Sequence, residues 1–145
     1  MRAFIFCLLA LFINGAKAET VHFPTYDPCL EQSHTYTPVS ITAATNTQVI
    51  TGATGKKIYI CSIVLVAGTA DNVGIVEGSG SVCATNTAGV IGGATATNGV
   101  NAAANGGFAM GGQMAVAATA TSGDNLCLFP SSAGPLSGHI VSVQQ

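Results

Sequence analysis

From Val39 onward the chain is a succession of short apolar and β-branched runs, each stopped within a few positions by turn-forming residues. Strand-like runs occupy residues 39–43, 47–51, 57–67, 72–77, 89–92, 107–110, 114–118, 125–129 and 136–143. The breaks at 52–55, 68–71, 78–80, 98–99, 105–106, 122–124 and 130–135 are rich in Gly, Asn, Asp and Pro. These residues tolerate positive φ or preset a turn. Strands at intervals of roughly 8–12 residues between such turns predict an all-β antiparallel β-sandwich or barrel. No helical period of 3.6 is sustained, and Ala102-Ala103-Ala104 offers one helical turn at most.

The run at 57–66 is almost continuously apolar. That pattern fits a central strand covered on both sides, by the facing sheet and by a neighbouring subunit or the N-terminal arm. Residues 138–143 alternate, so one face of that strand is expected to be wet.

At 145 residues, or 145 − 18 = 127 without the leader argued for below, the chain has room for one domain. Charged residues are 7%, with Lys plus Arg 4 and Asp plus Glu 6. Nucleic-acid binding needs a cationic surface, so no nucleic-acid partner is expected. The apolar, β-branched texture argues against disorder, and the scarcity of Glu, Lys, Leu and Arg argues against a coiled coil. Residues 88–120 form a low-complexity zone of small side chains whose only aromatic is Phe108. Small side chains bury little area at about 25 cal/mol per Å². Cross-links, oligomer contacts or both are therefore expected to stabilise the fold, and a homo-oligomer is the expected state.

Residues 1–18 read as a secretory signal peptide. Arg2 is the positive start, residues 3–13 are apolar, Asn14 and Gly15 break the run, and Ala16 and Ala18 are the small residues before a cut between Ala18 and Glu19. The run is shorter than the roughly 20 residues of a membrane helix, so no stable membrane anchor is expected after cleavage; a retained anchor or buried N-terminal segment is the alternative. Residues 19–38 hold Pro24, Pro28 and Pro38 and show no period. They read as an extended, irregular arm, with the β-sandwich domain at 39–145.

With Cys7 lost in the leader, Cys29, Cys61, Cys83 and Cys127 remain. An even number in an exported chain suggests disulfides. Their spacing does not match a zinc site. Of the three possible pairings, Cys61–Cys127 is the first choice, leaving Cys29 with Cys83; the alternative is that some are plain buried thiols.

No reaction centre is legible. Residues 52–57 (Gly-Ala-Thr-Gly-Lys-Lys) hint at a phosphate loop, but Ile50 and Lys57 stand where the motif wants Gly and Ser or Thr. Asp71 and Asp124 fall in turn signals, and Glu77 ends a strand. A Ser or Cys nucleophile would need a His base, and His139, the one histidine of the β region, reads as a surface or core filler on its strand. His22, Cys29 and His34 match no familiar metal spacing. Catalytic, cofactor-binding and metal-binding residues are therefore expected to be none, and the protein is expected not to be an enzyme. Carbohydrate remains a possible but unsupported ligand, since Tyr59, Phe108 and Phe129 all stand in apolar surroundings.

The segments 54–68 (TGKKIYICSIVLVAG), 76–89 (VEGSGSVCATNTAG), 104–111 (ANGGFAMG), 123–129 (GDNLCLF) and 136–143 (LSGHIVSV) together resemble small proteins encoded in tailed-phage genomes and environmental viral sequences. The resemblance covers about two-thirds of the chain. It implies a jelly-roll-like sandwich of about eight short strands, acting as an accessory virion component. Such a head-decoration or tail-associated protein would self-associate and dock on other structural proteins. Tailed phages assemble in the cytoplasm, so a leader is unexpected in a virion part. The second expectation is accordingly a secreted or periplasmic bacterial binding or adhesion module.

Overall fold

The computed structural model describes residues 26–145. The expected leader and its cleavage site at Ala18 and Glu19 lie outside the described residues. Ten strands follow one short helix: β1 (Thr35–Ile41), β2 (Thr47–Ile50), β3 (Ile58–Ala67), β4 (Asp71–Ser79), β5 (Thr85–Ile91), β6 (Val100–Ala102), β7 (Gly106–Gly111), β8 (Ala117–Ala118), β9 (Asn125–Pro130) and β10 (Leu136–Gln144). The helix, α1, is Pro28–Glu31, and 3₁₀ turns lie at Ser81–Cys83 and Ala96–Asn98.

The strands form two antiparallel sheets. The first runs β1-β10-β3-β7, with β8 also on β3; the second runs β2-β9-β4-β5, with β6 also on β4. The first strand pairs with the last and the second with the one before last. The third and fourth then sit beside those late strands. This is the order of a jelly roll, in which one long antiparallel ribbon wraps around a core.

The inner faces of the two sheets meet in one aliphatic cluster. Ile58, Ile60, Ile63 and Leu65 come from β3, Val73 and Ile75 from β4, Leu126 and Leu128 from β9, and Leu136 and Ile140 from β10. Each such side chain contributes roughly 1.5–3 kcal/mol on burial. Phe108 is only partly buried at the margin of this cluster.

The apolar run of β3 has a specific cause. Val141 of β10 faces Ser62 and Ser142 faces Ile60, which leaves Cys61 as an extra, bulged residue. The bulge shifts the alternation by one. Ile58 and Ile60 point inward before it, and Ile63 and Leu65 after it, which closes the gap in the sequence pattern. The expected cover on the outer face is partial: Cys61 is buried, but Val66 is 44% exposed.

Several sequence expectations need correction. The described part of the arm is regular rather than irregular, because α1 and β1 both begin before residue 39. Asp27 caps α1 and Pro28 opens it, the position where a missing N–H costs nothing. Pro38 is accommodated because β1 is a sheet edge. Ala102 ends a strand rather than starting a helical turn, and β6 itself had no sequence signal beyond Val100. The run at 114–118 contracts to the two residues of β8. In the centre of the first sheet, Gly138 has φ +148, and a Cβ there would run into the Val64 carbonyl.

Candidate functional site

The cysteines define what each sheet carries on its outside. Cys29 bonds to Cys61 and Cys83 to Cys127, with Cα–Cα distances of 5.5 and 6.2 Å. The expected Cys61–Cys127 pair is therefore wrong. Cys61 sits with Cys29 and Val143 in a small cluster, and Cys127 with Val76, Cys83 and Phe129 in another, both separate from the main core. The two strand cysteines thus face opposite outsides of the sandwich. Each is bonded to a short helical segment, α1 on the first sheet and the Ser81–Cys83 turn on the second. Two disulfides indicate a non-reducing, extracellular-type environment.

Buried carboxylates hold the loops. Asp27 accepts from the Cys29 N–H (2.9 Å) and, through both oxygens, from the Ala115 N–H (3.0 and 3.1 Å). Glu77 Oε2 accepts from the Ala120 N–H (2.6 Å). Asp71 Oδ1 accepts from the Ser131 N–H and Oγ–H (both 2.8 Å) and the Ser132 N–H (2.9 Å). Asp124 is also buried. Among the described residues, this leaves only Glu31 and Lys56 exposed and Lys57 half-buried as charged side chains.

The outer face of the first sheet is correspondingly neutral. Strand register places Pro38, His139, Val64 and Ala109 side by side. A parallel row reads Ser40, Ser137, Val66 and Gly107. Tyr36, 62% exposed, stacks its ring on His139 with centroids 5.0 Å apart. At the β7 margin a shallow groove of ≈ 280 Å³ is lined by Val64, Val66, Asn105, Gly107, Phe108 and Ala109.

A second, polar recess of ≈ 230 Å³ is lined by Ala70, Asp71, Asn72, Asn101 and Ser131. Asn101 Nδ2–H donates to Asn72 Oδ1 (2.7 Å). Asp71 Oδ2 is buried without a hydrogen-bond partner.

The structure does not bring the chemistry-bearing residues together. His139 faces Tyr36, and His34 Nε2–H donates to the Cys29 carbonyl (2.7 Å). Among the described residues no group of three or more His, Cys, Asp or Glu could hold a metal ion. No described helix is long and apolar enough to cross a membrane. The neutral face could have been anticipated from the wet alternation at 138–143, but the burial of the carboxylates had no sequence signal.

The chain matches no family model, no curated protein and no solved structure.

Proposed function

We propose that the protein is a non-enzymatic structural component, an accessory part of a phage particle that works by self-association and by docking on a protein lattice. The observation that carries this reading is the neutral outer face of the first sheet, in a molecule that buries four of its carboxylates. Interface cores are depleted of charge, whereas free soluble surfaces are usually well supplied with it. A sheet face of mostly small side chains and a stacked Tyr36–His139 pair lets another protein surface approach closely, with little side-chain entropy to lose. Mass spectrometry of purified particles tests the placement: the protein should co-purify in a fixed ratio to the major shell protein. Its consistent absence from particles would refute the virion role.

A second reading, a secreted or periplasmic binding module, is favoured by the recess at Asp71. Within it the side-chain amides of Asn72 and Asn101 offer acceptors and donors of the kind that hydroxyl-rich ligands use. Saccharide titration followed by amide shifts at Asn72 and Asn101 tests it. Unmoved resonances across a glycan panel would dismiss it.

A further inference from the structure

We propose that β7 is a dimerisation edge. Two copies pair β7 with β7 in antiparallel fashion about a two-fold axis at Ala109, joining their first sheets into one continuous sheet. The inference rests on the self-association reading above and specifies where that association occurs.

Exposed sheet edges are pairing hazards, and folded proteins block them with proline, charge, bulges or short length. Among the described residues, three of the four sheet edges are blocked in one of these ways. β1 carries Pro38. β2 has four residues and a break in register against β9. β5 has two breaks in register against β4, and Asn86 within it has φ 54. β7 has none of these features. Its six residues pair with β3 in unbroken register from Gly106–Ala67 to Gly111–Ser62. It contains no proline and no charge, and Gly107, Ala109, Met110 and Gly111 are exposed. Every second residue of such a strand turns its N–H and C=O away from its one partner.

The occupant that fits is a second copy, because the edge is its own complement. No charge on it repels its own image. With Ala109 on the axis, Gly107 lies opposite Gly111 of the other copy, and neither side has a side chain to clash. The same register sets Phe108 opposite Met110, which is 38% exposed. Sulfur–aromatic contact of this kind is favourable. Two such contacts form for one axis, as a closed two-fold interface requires.

The test uses the oxidised protein, with both disulfides formed. Ala109→Lys sets two ammonium groups together on the axis, and like charges so juxtaposed oppose pairing strongly. Light scattering over a concentration series should show a dimer for the parent and a dissociation constant raised by more than about a hundredfold for A109K. Ser40→Lys, on the same outer face but on β1, should leave the dimer intact. Ala109→Cys should give a covalent dimer under mild oxidation, because directly opposed antiparallel residues lie about 4.5–5.5 Å apart, within disulfide reach. Far-UV circular dichroism matching the parent for both Ala109 variants establishes that each is folded, since melting temperatures themselves shift with the association state. Dimers that survive A109K and fail to cross-link through A109C would overturn the β7 edge while leaving self-association standing. A parent protein monomeric at every concentration would overturn both. Protection of β7 amides only in the company of a different polypeptide would overturn the second-copy assignment.

Discussion

A carboxylate taken out of water needs compensation, and Glu77 obtains it from the backbone. Its Oε2 receives the Ala120 N–H, with the Thr121 N–H further away at 3.4 Å, and it is 3% exposed. Hydrogen bonds to a charged group contribute about 1.5–3 kcal/mol. Glu77→Ala should therefore lower the unfolding free energy by roughly 2–3 kcal/mol, read as a fall in urea midpoint at constant slope. Glu77→Gln should cost less, because the amide oxygen keeps an acceptor in place. Sequence patterning placed Asp71 and Asp124 in turns and Glu77 at a strand end; Asp124 does directly follow the turn at 122–123, but Asp71 is the first residue of β4 and Glu77 lies near the end of that strand. What it could not supply was burial. A carboxylate becomes internal only because a loop distant in sequence, such as 131–132 over Asp71, folds across it.

At the level of elements, each disulfide clamps a short helical segment to the outside of one sheet. Closing loops of 32 and 44 residues, they should stabilise by about 3–4 kcal/mol each. Replacing Cys83 and Cys127 together with Ala should lower stability by that amount in denaturant titration. Replacing Cys29 and Cys61 should in addition release α1. Asp27 would then lose its hold on Ala115, and hydrogen exchange at the Ala115 amide should accelerate while β9 remains protected. Most strands were legible because their apolar runs end at Gly, Asn or Pro. The disulfide pairing was not legible, because the direction of Cys61 depends on a bulge that only the register with β10 reveals. The first half of β1, up to Pro38, was hidden by that proline, which a sequence scan reads as a breaker and an edge strand accepts. β6 was hidden by weak, small side chains at Val100–Ala102.

At the scale of the whole molecule, Asp27, Asp71, Glu77 and Asp124 are buried, and among the described residues only Glu31, Lys56 and, in part, Lys57 carry charge to the surface. With so few charges outside, association should respond little to ionic strength. Raising salt from well below to well above physiological strength should change the dimer dissociation constant by less than about threefold, since screening acts on charges that are largely missing from the surface. Sedimentation at two salt concentrations measures this, and a steep dependence would point to contacts made through Glu31, Lys56 or Lys57.

The two covalent links also follow one another along the chain without interleaving: 29 with 61, then 83 with 127. Leaving Cys7 aside, a polypeptide threaded through a membrane N-terminus first would present its thiols in that order. When Cys61 arrives, Cys29 is the one waiting; when Cys127 arrives, Cys83 is. Oxidation in order of arrival yields the correct connectivity without reshuffling, even though β1 must wait for β10, at the far end of the polymer, before the barrel-shaped wrap can close.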